Sequence, residues 1–594
     1  MIRAIFSGTT PEWSGLFIDP DHVYFAHDLA TVAHVVNNAE AAALAGSWVI
    51  LALAYEAAPA MDPALSAHPP TTLPLAFAAT FSRPAPTPPP SSPPLPSLSW
   101  KPLVTWPAYK HAVERILNYI ATGHTYQVNY TFPMVTRAPS DLEQWYHALC
   151  AAQAAPFSCF ISTPDFSLLC LSPELFFTRR GSSIIARPMK GTLPRGRWWE
   201  EDCERQRALA TCPKNRAENL MIVDMLRNDL GRIAQCGSVH VPTLFSIESY
   251  HTVLQMTSTV TARLRPAVSL WDIFSALFPC ASITGAPKVR TMQIIRELEP
   301  YPRGFYTGAI ALLQPGGNCT CNVAIRTIVS THHDRCACFS VGGGIVADSN
   351  PAHEYEECRV KAAFLHTPRP AFQLLESLLL DHGEYWLLPE HLSRLRSSAT
   401  FFSFSFDESA VREALRAIAL AHKVGRFKVR LLLSPTGKTT LEAEPLPAHE
   451  RPWALGVAPS PVSSHDVFLF HKTTHRVVYE AAARACPGAD DVVLWNQQGE
   501  ITETTRANIV VQLHGQLITP PRTAGLLAGT FRAALLAQRR IVEKSIFLDQ
   551  LLSAPKIWLI NSVRGWIDVD MPHLRAALAL HQQTRQSCSA VGRQ

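Results

Sequence analysis

Apolar positions recur along this chain with two different periods, and the alternation between those periods marks out its elements. "FSLLCLSPELFF" and "SSIIARPMKG" are short apolar runs rich in branched and aromatic side chains, separated by Arg-Arg-Gly-Ser. They predict two strands around a turn. In "RAENLMIVDMLRNDLGR", residues 216–232, apolar side chains fall three and four apart and Gly231 ends the pattern, which predicts a helix. "NPAHEYEECRVKAAFL", residues 350–365, opens on an Asn-Pro cap signal and predicts another. The two kinds of element alternate irregularly, and no internal repeat is visible. That favours α+β layers over a doubly wound sheet.

Two proline-rich stretches interrupt the pattern. "RPAPTPPPSSPPLPSLSWKP", residues 83–102, predicts an extended loop without regular structure. Residues 1–82 show few clear strand alternations and make a poor core alone, so this loop reads as an insertion within one large domain spanning 1–367. The second break is "HTPRPAFQ", residues 366–373. After it the pattern restarts with a strand-like "FQLLESLLL", a turn "DHGE" and a second strand "YWLL". A second domain, 368–594, begins there. The length of 594 residues requires more than one core.

Composition narrows the function classes. The chain is 47% apolar and 17% charged with a net charge of +5, and its basic residues form no long run. Nucleic acid and membrane-surface partners therefore have little support. There is no stretch of 18 apolar residues, and "MIRAIFSGTTPEW" lacks a basic segment followed by an apolar one, so neither a membrane span nor a signal peptide is expected. The 14 cysteines show no framework spacing, which suits the reducing cytoplasm. "CTC" at 319–321 and "CAC" at 336–338, with His332 and His333 between, fit either a zinc site or the two strands of a hairpin carrying small thiols at alternate positions.

Candidate chemistry follows from the same spacing. A turn near Gly181 would put Glu174 opposite residue 188, with Lys190 a diagonal neighbour on the same face. The pair reads as a cross-strand ion pair or as a general acid beside a nucleophile. Glu354 and Glu357 share a helix face, and Glu218 lies on the other predicted helix one turn after Asn215. These carboxylates are either a solvated face with basic partners or ligands for Mg²⁺, which needs few protein oxygens. "SVGGGIV", residues 340–346, and "SITGAPK", residues 282–288, are turns open to close ligand approach. Neither is a dinucleotide fingerprint or a P-loop.

The order of "SPELFF", "RPMKGTLPRG", "NRAENLMIVDMLRNDLGR", "SITGAPKVRTMQII", "RGFYTGAI", "NVAIRTI", "VGGGIVADS" and "EYEECRVKAA" resembles that of the chorismate-utilising enzymes: the large subunits of anthranilate and aminodeoxychorismate synthases, with their isochorismate and salicylate relatives. The likeness covers about residues 100–365, and "LALAYEAAPAMDPAL" resembles the amino-terminal part of the same enzymes. It implies a large β-sandwich domain with helices. In the Pro-x-(Ala/Lys)-Gly-Thr turn, anthranilate synthases carry alanine and aminodeoxychorismate synthases lysine, and this chain has Lys190. The resemblance makes Lys190 a nucleophile on C2 of chorismate and Glu174 the general acid for the departing C4 hydroxyl. Gln127 stands where isochorismate-forming relatives place a lysine that activates water. Glu218 and Glu357 become Mg²⁺ ligands, with Glu354 contacting through water; Asn215 departs from the glutamate of anthranilate synthases. Gly191, Thr192, Ser282, Tyr306, Arg326, Gly342, Gly344 and Lys361 match substrate-binding positions.

In the second domain, "LPEHLSRLRSSATFF", "HKTTHRVVYEAA", "EITETTRANIVV", "GLLAGTFRAALL" and "INSVRGW" resemble the fold-type IV pyridoxal-phosphate enzymes, among them aminodeoxychorismate lyase and the branched-chain and D-amino-acid aminotransferases. That implies two subdomains, Lys472 as the lysine that carries the cofactor, Glu503 on its pyridine nitrogen, and Arg394 and Thr530 on its phosphate. Glu376 lies where a lyase carries threonine and some aminotransferases glutamate. The pairing of domains resembles fused synthase–lyase chains that make p-aminobenzoate, a folate precursor, from chorismate and ammonia. A cytoplasmic enzyme is expected, with a separate glutamine amidotransferase subunit, since no Gly-x-Cys-x-Gly turn is present, and with a homodimer through the second domain. The alternatives are an anthranilate- or isochorismate-type synthase joined to an aminotransferase, and an inactive scaffold that recruits the glutaminase.

Overall fold

The computed structural model describes residues 2–8, 10–86, 93–153, 155–367, 370–448 and 451–591, with the backbone alone over 584–591. The middle of the expected proline-rich loop, residues 87–92, lies outside the described residues. The chain divides into two compact units. One comprises residues 1–194 and 206–369, the other residues 195–205 and 370–594.

The first unit is built on two antiparallel sheets, of nine and ten strands among the described residues. Strands from residues 1–82 are threaded into both, so that region has no core of its own. In Trp48–Leu53, Ile50 and Ala52 face the other sheet, while Val49, Leu51 and Leu53 face helices on the outside. This period-2 division recurs through both sheets and makes three apolar layers. The middle layer lies between the sheets and contains Phe6, Phe17, Phe77, Ile161, Leu168 and Ile310. One outer layer joins the ten-stranded sheet to Leu29–Leu44, Pro213–Gly231 and Leu270–Leu277. The other joins the nine-stranded sheet to Trp106–Ala121, Leu142–Ala152, Lys288–Leu298 and Pro351–Ala362. The result is a helix–sheet–sheet–helix sandwich. Each helix covers a sheet face that would otherwise expose apolar side chains to water.

Prolines divide the two expected strands around the Arg-Arg-Gly-Ser turn. "FSLLCLSPELFF" becomes Phe166–Ser172 in the nine-stranded sheet and Leu175–Arg180 in the ten-stranded sheet, so the chain changes sheet across Pro173-Glu174. "SSIIARPMKG" becomes Ser183–Arg187 and Met189–Pro194, divided at Pro188; both pair with Val253–Arg263. A proline has no N–H to give the ladder, so pairing stops at each. The hairpin expected for the two Cys-x-Cys runs is also corrected. Cys319–Val323 lies in the ten-stranded sheet and Cys336–Ile345 in the nine-stranded sheet. The His332 imidazole is bonded to the Ser167 hydroxyl and the Pro164 carbonyl. Among the described residues no three His, Cys, Asp or Glu side chains gather as a metal site, so the zinc alternative has no support.

In the second unit, Leu374–Asp381, Arg426–Leu433 and Thr439–Pro445 form a sheet with the short Glu384–Tyr385. Helices Leu388–Phe402 and Glu408–Ala421 cover it. The expected strand "YWLL" contracts to that two-residue bridge, because the following Leu-Pro starts a helix with proline in its first turn. Sheets of three and five strands build a larger core with Val477–Ala485 and the start of Met571–Val591. The segment Arg195–Arg205 contributes Trp198 to this core and Trp199 to the smaller one. No helix among the described residues is long and apolar enough to cross a membrane.

Candidate active sites

The sheet change at Pro173-Glu174 delivers a carboxylate to the end of a hairpin. Glu174 is buried, and the Ser282 hydroxyl donates to its Oε1 at 2.6 Å. Burial pushes its pKa up to about 7, against the Ser282 hydrogen bond and the nearby Lys190 charge, which both lower it. Lys190 lies on Met189–Pro194, just before Gly191 turns the chain at φ +92°. Its pKa is lowered. Burial is the main cause and Lys361 adds to it, while Glu218, Glu174 and Glu357 oppose. A Cβ on Gly344 would lie 2.6 Å from Lys190 Nζ and 3.0 Å from Gln127 Nε2, so both groups rest against a backbone that only glycine allows. Gln127 is fully buried, and neither its amide oxygen nor its nitrogen has a hydrogen-bond partner. Such a group is ready for a ligand, since an orphaned buried amide is otherwise destabilising.

The other first-unit candidates divide. Lys361 bonds the Gly342 carbonyl at 2.9 Å and pairs with Glu357 at 2.7 Å. Burial works against its charge, and Glu357 overrides that and raises its pKa. The wall Gly342–Gly344, Gln127, Lys190, Ser282, Glu174 and Lys361 thus forms one group. Arg326 is half-buried at φ +50°, with its pKa lowered to about 10 by burial and Tyr250 opposing. Tyr306 is buried, which raises its pKa, beside Arg303 and Glu299. Thr192 is exposed and donates to Gln255. Asn219, which sequence reasoning missed, is buried on Pro213–Gly231; it accepts from Ser258 at 2.5 Å and reaches the Lys190 carbonyl at 3.5 Å. Its signal was the polar position on the otherwise apolar stripe of that helix.

Glu218 is half-buried on Pro213–Gly231, and Glu354 and Glu357 lie on Pro351–Ala362. Glu354 accepts from Ser349 at 2.7 Å, and its Oε2 would be 3.2 Å from a Cβ on Gly343. Glu357 is exposed, and Lys361 and, less, Lys190 hold its pKa below the usual range. All three belong to the charge environment around Lys190 and Lys361. They do not converge as a three-ligand cluster. Mg²⁺ prefers oxygen donors and needs few from the protein, and Glu218 and Glu357 are donors of that type, although Glu357 is paired with Lys361.

In the second unit Lys472 is half-buried, and burial with the Arg394 charge lowers its pKa to about 8. Glu503 is buried. It accepts from the Tyr479 hydroxyl at 2.8 Å, the Leu527 amide at 3.1 Å and the Asn508 amide at 3.2 Å, and burial raises its pKa to about 7. Arg394 grips Glu376 through Nε at 2.9 Å and Nη2 at 2.6 Å. His391 also bonds Glu376, at 2.7 Å, and reaches Thr530 Oγ1 at 3.3 Å. Glu376 therefore anchors Arg394 and His391, and its pKa falls to about 2 because the Arg394 charge and the hydrogen bonds from Arg394 and His391 outweigh burial. Thr530 opens the helix Thr530–Ala537 after Gly529, where unpaired N–H groups suit a phosphate. Arg476, also missed from sequence, stacks on Tyr479 and bonds the Thr505 carbonyl. An activated amine, a buried carboxylate that can face a ring nitrogen, and a cationic helix end are a donor set that fits pyridoxal phosphate.

Residues 75–367 match the chorismate binding enzyme family, and residues 373–570 match the amino-transferase class IV family. Over 260 residues the chain is 45% identical to aminodeoxychorismate synthase component 1 of Klebsiella aerogenes, covering 44% of this chain and 57% of that protein. The chain spans little more than half the length of such curated relatives. Anthranilate synthase component I from Streptococcus pneumoniae superposes over 61% of this chain and 90% of its own at 22% identity and a TM-score of 0.51, which shows a shared fold. A putative amino-acid aminotransferase from Mesorhizobium loti is 32% identical, covering 34% of this chain and 99% of its own, with a TM-score of 0.32.

Proposed function

We propose that this chain, a chorismate binding enzyme over residues 75–367 joined to a class IV amino-transferase domain over residues 373–570, converts chorismate and ammonia to p-aminobenzoate in two steps. The observation that carries the reading is the Lys190 amine, held with a lowered pKa against the bare backbone of Gly344 within the field of the raised-pKa carboxyl of Glu174.

In the first step the Lys190 lone pair bonds to C2 of the ring. Both conjugated ring double bonds shift, C1=C2 to C1=C6 and C5=C6 to C4=C5, the C4–O bond breaks, and Glu174 gives its proton to the departing hydroxyl, which leaves as water. Ammonia then bonds to C4, both double bonds return to their first positions, and the C2–N bond breaks to release Lys190. Covalent catalysis divides one difficult substitution into two displacements. Gln127, a neutral amide, is not a base for water, which argues against an isochorismate-type outcome. Ser282 keeps Glu174 oriented, and Arg326 and Lys361 supply charge for the substrate carboxylates. Mg²⁺ on Glu218 and Glu357, with Glu354 through water, would neutralise carboxylate charge. The product is 4-amino-4-deoxychorismate.

In the second step pyridoxal phosphate, when bound, supplies an electron sink for charge developing on the substrate. Lys472, whose amine is neutral above about pH 8, takes the C4 proton. The enolpyruvyl C–O bond breaks, pyruvate leaves after protonation, and the ring becomes aromatic. Glu503 pairs with the cofactor's ring nitrogen, and Arg394 with Thr530 holds its phosphate. Ammonia comes from a separate glutaminase subunit, the second domain pairs with its counterpart in a homodimer, and the chain works in the cytoplasm. Thirteen free thiols among the described residues suit that reducing compartment.

The test is product identification. Purified protein given chorismate, ammonium, Mg²⁺ and pyridoxal phosphate should yield p-aminobenzoate and pyruvate by mass spectrometry. Lys190→Met should yield neither, yet should still convert supplied 4-amino-4-deoxychorismate. Anthranilate or isochorismate as the product overturns the reading.

A further inference from the structure

Residues Arg195–Arg205 follow the Lys190 turn in sequence but pack with the second unit. Their contacts there converge on the two residues that precede Lys472. The Trp198 ring lies against Phe470, centroids 5.1 Å apart. The Arg197 guanidinium stacks on both rings, 4.8 Å from Trp198 and 5.2 Å from Phe470, and donates to the Ser464 and Thr523 carbonyls at 3.3 Å. Arg522 covers Trp198 at 4.7 Å and bonds Glu200 at 3.0 Å. The Arg197 carbonyl takes a hydrogen bond from His471 Nε2 at 3.2 Å. Arg195 lies over Phe401 at 4.5 Å and donates to that residue's carbonyl at 3.0 Å, while buried Asp202 holds Arg195 from within the segment at 2.8 Å.

His471 is fixed from every side. Phe401 and Phe402 pack on its ring with centroids 4.5 and 4.7 Å away. A carbonyl can only accept, so the Arg197 carbonyl requires the proton on Nε2. Nδ1 must then accept from Ser398 Oγ at 2.8 Å. Burial pushes its pKa down to about 3, Arg522 and Arg195 add to the effect and outweigh the opposing hydrogen bond to the Arg197 carbonyl, so the ring is neutral. The next residue's carbonyl is pinned as well, by the Leu375 amide at 2.9 Å.

We infer that the Arg195–Arg205 segment is a positioning element of the second active site, gripping Phe470 and His471 so that the Lys472 amine is presented in one place. His471 and Trp198 are its positioning residues; neither touches substrate. The inference rests on the assignment of Lys472 as the cofactor lysine. A catalytic lysine needs its backbone held within a fraction of an ångström, and that support comes from packing and hydrogen bonds behind it.

The test uses the full-length chain with pyridoxal phosphate and supplied 4-amino-4-deoxychorismate. In His471→Leu and Trp198→Ala, cofactor retention on dialysis should weaken about tenfold, and the pH midpoint of the cofactor's visible band should move from the parent value. kcat for pyruvate release should fall while KM for the substrate changes little. His471→Gln, whose amide N–H can still donate to the Arg197 carbonyl, and Trp198→Phe, which keeps a ring on Phe470, should recover most of the parent behaviour. Parent-like retention and midpoint in both His471→Leu and Trp198→Ala overturn the inference. A parent chain that forms no visible band, or that borohydride labels on a lysine other than Lys472, overturns the functional assignment and this inference with it.

Discussion

Removing the Ser282 hydroxyl tests whether Glu174 is the acid of the first step. Ser282 donates to buried Glu174 at 2.6 Å, and this bond favours the ionised carboxylate. A hydrogen bond to a charged group contributes roughly 1.5–3 kcal/mol, or about 1–2 pH units. The Met189 backbone also donates to Glu174 and remains in Ser282→Ala, so the lower end applies. The Glu174 pKa, about 7 in the parent, should therefore rise by roughly one unit in the variant. A general acid works in its protonated form, so parent kcat/KM should fall as pH rises through about 7 and variant kcat/KM about one unit later. At a pH near 8 the protonated fraction would rise from about one tenth to about one half, so the variant should retain roughly fivefold more of its own low-pH rate. The assay is 4-amino-4-deoxychorismate formation in Lys472→Ala, measured across pH with free ammonia rather than total ammonium held constant. Ser282→Thr, which keeps a hydroxyl, should track the parent. An alkaline midpoint that stays put in Ser282→Ala, or moves down, refutes Glu174 as the acid.

Further expectations concern the other groups. Lys472→Ala should lose the cofactor's visible band and accumulate 4-amino-4-deoxychorismate; continued p-aminobenzoate formation without a contaminating lyase would contradict the assignment. Glu218→Gln and Glu357→Gln should each raise the Mg²⁺ concentration needed for half-maximal synthase activity by about tenfold, as expected for loss of a ligand charge, and titrations identical to the parent would make them surface carboxylates. Glu376→Ala leaves the largely buried Arg394 without its carboxylate, so thermal unfolding of the second unit should reveal a loss of about 3–5 kcal/mol; no change in its transition would mean that Arg394 finds another partner.

The reactive residues were easier to read from sequence than the groups that hold them. Lys190 sits in a short turn with an unusual lysine, and Glu503 and Lys472 sit in compact runs, so local order exposes them. Long-range support has no such signature. Asn219 is 29 residues from Lys190, and Tyr479 is 24 from Glu503. The break of each expected strand depended on a single proline inside a convincing apolar run, and there the lost ladder bond outweighed hydrophobic periodicity. The Cys-x-Cys runs looked like hairpin partners because strand alternation says which face a residue takes but not which sheet receives it. Nothing in the pattern around "RGRWWEED" distinguishes an amphipathic helix start from a peptide that joins another core.

That last peptide bears on how such a chain is inherited. A coding region cut at the proline-marked junction near residue 367 would yield a second protein lacking Trp198, Trp199 and the Arg197 carbonyl, with its own aromatic residues uncovered where they had been. Recombination could not swap the carboxy-terminal half among lineages as an interchangeable cassette, because eleven residues of its interior are encoded in the middle of the other half. Once such a fusion is established, separating its genes again would require the smaller product first to evolve a replacement for that peptide.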